Sequence, residues 1–102
     1  MDFLTLDLIK THCRIEDYSR DKGKQREIDN NIRKCADKGE KHVYEYIGKN
    51  YFDIIKEYGE VPITIMQAAL IATADIILYG RAPTENYAFK AILKPYKKDK
   101  EL

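Results

Sequence analysis

A chain of 102 residues has room for one hydrophobic core, and its length excludes a second domain. A hydrophobic share of 44% beside 34% charged residues, with only 5 Gly and 3 Pro, excludes collagen-like and low-complexity classes and predicts a single globular domain over residues 1–102. The formal net charge is +1, yet residues 1–80 hold 12 basic and 14 acidic side chains while residues 81–102 hold 6 and 3, so the positive excess sits at the C-terminal end. So small an overall excess argues against a protein that coats nucleic acid.

Thr5 before Leu6, Leu8 and Ile9 reads as an N-cap, and Leu6, Ile9 and Cys13 recur at helical spacing, which predicts a short amphipathic helix over Leu6–Cys13. Residues 16–27 mix four acids with four bases around Tyr18 and Gly23 and read as a solvated linker. The strongest periodicity follows: Ile28, Ile32, Cys35, Ala36, Gly39, Val43, Tyr46 and Ile47 predict a long helix over residues 24–47, with Asp29, Arg33, Lys34, Asp37, Lys38, Glu40 and Lys41 on its other faces. Gly48 stands where a left-handed C-cap belongs, and Gly39 within the helix suits the close approach of another helix.

Residues 49–60 carry Tyr51, Phe52, Ile54, Ile55 and Tyr58 and predict a short aromatic-faced helix ended by Gly59. Pro62 suits a first helical turn, and residues 62–79 are apolar nearly all round, the profile of a central buried helix. Thr64, Gln67, Thr73 and Asp75 interrupt it; Asp75 alone would cost about 3 kcal/mol at a bilayer centre, so no membrane span is expected. After Gly80 and Pro83, the residues Tyr87, Phe89, Ile92 and Leu93 predict a last short apolar segment before Pro95, and residues 97–102 a mobile basic tail. Without strand alternation or hairpin signals, the expected class is all-α: two long antiparallel helices with short helices packed across their ends. Their expected contact sets Ile28, Ile32, Cys35, Val43 and Ile47 against Ile63, Met66, Leu70, Ile76 and Ile77.

The chemistry-bearing residues are sparse. Cys13 and Cys35 are too few for a disulfide framework or a four-ligand zinc site, and without a leader-like segment a reducing compartment and two plain core thiols are expected. His12 and Cys13 are helix neighbours that point about 100° apart, and His42 has only Glu45 nearby. With no phosphate loop or nucleophile elbow, no catalytic residue, cofactor or metal is expected, and the chain reads as a non-enzyme. Eight tyrosines and three phenylalanines suit protein contacts, and the alternative of equal weight is that Tyr46, Phe52 and Tyr79 are core and the others ordinary surface. The candidate partner-binding residues are Tyr87, Phe89, Leu93, Tyr96, Lys97 and Lys98, read as apolar anchors steered by lysines and ordering on a partner. Asn30, Asn31, Arg33, Lys34, Lys38 and Lys41 form the best face for DNA, but Asp29, Asp37 and Glu40 on the same helix are expected to oppose phosphates, and the near-neutral charge of the chain predicts weak or absent duplex binding at physiological salt.

The order of motifs resembles the phage head-tail connector family over nearly the whole chain. Leu4 to Ile15, with its capping Thr5 and its Lys10, His12, Arg14 and Ile15, is similar to that family's first helix. Tyr46-Ile47-Gly48-Lys49 is similar to the Tyr-Thr-Gly-Arg stretch ending its long helix, Pro62-Ile63 through Gln67-Ala68-Ala69-Leu70 to its Pro-initiated central helix, and Ile92-Leu93-Lys94-Pro95-Tyr96-Lys97 to its Leu-Leu-x-Pro-Tyr-Arg ending. The chain departs from the pattern in a mixed-charge insert after Glu16 and Asp17, residues 18–24, and in Lys97 for the terminal Arg. The resemblance implies a structural phage or prophage protein of the virion, assembled in the host cytoplasm. It would self-associate into a ring between the portal protein and a tail-completion protein, extend the DNA channel and touch DNA there transiently and without sequence preference. The alternative is a small helical DNA-binding or regulatory module using the basic C-terminal tail.

Overall fold

Four of the five α-helices among the described residues start at a side-chain cap, and the first four each end at a left-handed residue. The computed structural model describes residues 1–15, 21–81 and 86–98, and among these every regular element is helical. Helix α1 spans Leu6–Cys13, as its periodicity predicts; Thr5 Oγ1 accepts the Leu8 amide at 3.2 Å, and Arg14 closes the helix at φ 56°. Helix α2 spans Lys22–Ile47 and so begins earlier than expected, because the Asp21 carboxylate takes the Gly23 and Lys24 amides and caps residues that composition alone assigns to a linker. Its C-cap is Gly48 at φ 72°, a left-handed conformation in which a side chain would be strained.

Helix α3, Tyr51–Tyr58, starts later than expected and ends at Gly59 as expected. A reciprocal capping box, Asn50 with Asp53, starts it. Helix α4 spans Ile63–Tyr79, with Pro62 just outside as the N-cap residue rather than within the first turn. Helix α5 spans Tyr87–Leu93 and runs into a 3-10 turn over Lys94–Tyr96. Among the described residues no helix is long and apolar enough to cross a membrane.

The core lies chiefly between α2 and α4, with α1 packed on both and α5 against α4. From α2 it takes Ile32, Ala36, Val43 and Ile47, part of the predicted stripe; Cys35 is half-buried and Ile28 is 42% exposed. The predicted face of α4 is corrected. Ile65, Ala68, Ala69, Ala72 and Thr73 face inward, whereas Met66, Leu70, Ile76 and Ile77 are half-buried and Ile63 is 72% exposed. A helix apolar on every side offers no contrast from which to read its face, and the small side chains go inward because α2 comes close. The close contact is at Gly39, where a Cβ would overlap Thr73 Oγ1 and stand 3.1 Å from the Thr73 amide nitrogen and 3.3 Å from the Ala69 carbonyl oxygen.

Candidate functional site

The predicted docking residues do not form one exposed surface. Phe89 and Leu93 are fully buried on α5, and Phe89 stacks at a tilt on Tyr46 with ring centroids 5.8 Å apart. The expectation that they anchor a partner is corrected, since α5 is amphipathic and closes the chain's own core with them. Tyr96 is half-buried: its hydroxyl is hydrogen-bonded to Thr64 Oγ1, and its ring meets Tyr58 edge-on at 5.8 Å. Lys97 and Lys98, expected to open the mobile tail, lie against the end of α2. The Lys98 amide donates to the Ile47 carbonyl at 2.8 Å, and Lys97 Nζ sits 5.1 Å from the centre of the Tyr46 ring. Residues 99–102, the rest of that tail, lie outside the described residues, as do 82–85 and 16–20 within the expected linker. Of the six candidates, Tyr87 alone presents a large free apolar surface, at 85% exposure.

Large apolar side chains are unburied elsewhere. Phe52 on α3 is 80% exposed, Ile63 opens α4, and Leu78 and Tyr79 close it, all outside water-excluded packing. Near Tyr87, the buried Asp75 carboxylate accepts from Asn86 Nδ2 at 2.8 Å and from Arg81 at 3.5 Å, which holds the start of α5 to α4. That pairing explains why an acid is tolerated in the most apolar helix.

A second buried acid lies on α2. Glu40, placed by the sequence reading among the polar faces, is only 2% exposed. Oε1 accepts the Asp2 amide at 2.8 Å, and Oε2 accepts those of Phe3 at 3.0 Å and Leu4 at 2.9 Å. Three consecutive N–H groups thus surround one carboxylate, as in an anion-binding nest. Beside it Tyr44 donates to the Asp2 carboxylate at 2.7 Å and meets Phe3 edge-on. Burial, and then the hydrogen bond to Asp2, push the Tyr44 phenol well above its ordinary value. A signal for Glu40 was present in its spacing, four residues after Ala36 and three before Val43, on the stripe that faces the core.

One further ion pair joins two helices, and another braces α3 against Lys49, which precedes it. Lys10 Nζ meets the Asp29 carboxylate at 2.8 Å and joins α1 to α2; the Lys10 ammonium, with Gln25, holds the Asp29 carboxyl below its usual range. Lys49 pairs with Glu57 at 2.8 Å beneath the Tyr58 ring and lowers the Glu57 carboxyl. Both cysteines are free and half-buried, and burial raises the Cys13 thiol. Among the described residues no group of three His, Cys, Asp or Glu side chains could hold a metal ion, and no buried side-chain nitrogen or oxygen lacks a partner. The buried carboxylates are saturated by groups of the chain itself, so their role is to fasten segments. What the surface offers is contact area, both apolar and charged. Compared with family models, with curated proteins and with solved structures, the chain matches none.

Proposed function

We propose that this chain is a structural phage or prophage protein, one copy of a ring-shaped adaptor between portal and tail that extends the DNA channel. The reading rests on the ordered motifs from Leu4 to Lys97, and the observation in the fold that supports it is the placement of large apolar side chains left uncovered. Ile63 and Tyr79 lie at the two ends of α4, about 24 Å apart at 1.5 Å per residue. Phe52 and Tyr87 are still more exposed, on α3 and α5. A subunit in a ring meets its neighbours through two different patches, and an isolated domain gains nothing from leaving both wet.

The anchors for a neighbour are then Phe52, Ile63, Tyr79 and Tyr87 rather than Phe89 and Leu93. The test is assembly of the full chain, alone and with a portal ring, followed by sedimentation and electron microscopy. Rings that form with the native chain and fail with Phe52→Asp or Tyr87→Asp, each variant retaining its helical circular dichroism, are the expected result. A chain that stays monomeric at high concentration and ignores the portal would overturn the adaptor reading.

A further inference from the structure

The solvent face of α2 is far more basic than the sequence of that helix implies. Between Lys22 and Ile47 there are seven cations, Lys22, Lys24, Arg26, Arg33, Lys34, Lys38 and Lys41, and every one is exposed. The same helix has five acids, but the fold withdraws two of them. Glu40 is buried beneath three backbone amides, and Asp29 is half-buried against Lys10. Glu27, Asp37 and Glu45 remain outside, with Asp37 2.8 Å from the Met1 amine. In the middle of the helix Asp37 is the one exposed acid among Asn30, Asn31, Arg33, Lys34, Lys38 and Lys41. The objection that acids on this face would repel phosphates therefore falls for two of the three residues that raised it.

We infer that the middle of α2, with Arg33, Lys34, Lys38 and Lys41 at its centre and Asn30 and Asn31 beside them, is a contact surface for the phosphate backbone of nucleic acid. Residues three and four apart on a helix are neighbours about 5–6 Å apart, so Lys34, Lys38 and Lys41 form a row along one side, with Arg33 at its edge. Such a row follows a line of phosphates without reading bases. The amide groups of Asn30 and Asn31 donate to phosphate oxygens in the same way, which positions the helix and carries no sequence information. An anionic membrane is the less suitable polyanion. Ile28 is the one large apolar side chain exposed on α2, and a helix lying in a lipid interface buries a whole apolar face, which α2 uses for the core. The inference stands on the charge of α2 and goes beyond the adaptor reading; it holds whether or not copies form a ring.

Counterion release sets the expected behaviour. Four cations on phosphates give a slope of log affinity against log salt of about −3.6, hence roughly a 100-fold loss between 50 and 200 mM salt. The experiment is fluorescence anisotropy of the full chain with a 20-base-pair duplex of arbitrary sequence, repeated with a second sequence, over that salt range. Binding at 50 mM that is equal for both sequences and falls steeply with salt is expected. In Lys34→Gln/Lys38→Gln/Lys41→Gln, three exposed positions, the slope should drop to about −0.9, while Lys90→Gln/Lys94→Gln/Lys98→Gln should change it little. Circular dichroism confirms that both variants are folded. No binding at 50 mM, a slope lost with the C-terminal lysines instead, or tighter binding to vesicles containing 30% phosphatidylserine than to the duplex would each overturn the inference. Self-assembly of the α2 variant, measured by sedimentation, keeps this result separate from the adaptor reading.

Discussion

Gly39 of α2 lies so close to Thr73 of α4 that a single added methyl group would overlap the threonine hydroxyl. That hydroxyl donates to the Ala69 carbonyl at 2.8 Å, so it is held in place and cannot easily swing aside. The two helices meet here nearly backbone to backbone, and the run of alanines on α4 exists to permit it.

Gly39→Ala should therefore lower stability, although alanine is the better helix former. The helix-propensity gain is about 1 kcal/mol, and overpacking a tight interface costs about 1–3 kcal/mol. Adding Thr73→Ala removes the overlapping hydroxyl and should recover part of the loss. Urea denaturation of both single variants and the double variant measures the coupling; independent, additive effects would mean that the helices do not touch there.

Glu40→Gln tests the buried carboxylate. An amide oxygen can still accept, but its NH2 group would face amide donors, so at least one charge-assisted bond is lost at about 1.5–3 kcal/mol. The melting temperature should fall, and hydrogen exchange at Phe3 and Leu4 should quicken more than in α4. Unchanged protection of those two amides would show that the N-terminal segment is held by something else.

Phe89→Ala should cost about 3–5 kcal/mol, since the ring is fully buried against Tyr46. Leu70→Ala should cost less, because Leu70 is half-buried beside Leu8 and His12 in a surface cleft and its removal exposes less new cavity. Tyr87→Ala should leave the melting temperature nearly unchanged. Shortening the chain to end at residue 84 should consequently unfold or strongly destabilise the domain, rather than merely detach a docking tail.

Stability should depend on pH at both extremes. The Asp29 carboxyl is lowered by Lys10, so its contribution is complete above the ordinary carboxylate value of about 4 and disappears as pH falls through the folded-state value. Asp29→Asn should flatten the acid limb. The Tyr44 phenol is raised by burial and by Asp2, so its contribution is complete below its ordinary value of 10.0 and is lost as pH climbs beyond it. Tyr44→Phe should flatten the alkaline limb, as read from denaturation midpoints against pH.

Local chemistry settled where the helices begin and end. Thr5, Gly48, Gly59 and Gly80 act on groups within a few residues, so the boundaries at Leu6, Ile47, Tyr58 and Tyr79 were legible in the chain. The Asp21 cap was equally local, but it was hidden inside a charged stretch. The inward stripe of α2 was legible too, because its apolar residues stand out against charged neighbours. Tertiary structure decided three things that spacing alone does not settle. It chose the face of α4, where all sides are apolar and the approach to Gly39 selects the smallest. It turned Phe89 and Leu93 inward, since an amphipathic segment of seven residues buries its stripe on whichever apolar surface is nearest, and α4 is attached to it. It also determined which acids of α2 meet solvent, because Glu40 finds its donors at Asp2, Phe3 and Leu4, up to 38 residues away in sequence. Pairing across such distances depends on where the folded chain brings its groups, and it leaves α2 with a more basic solvent face than its own composition implies.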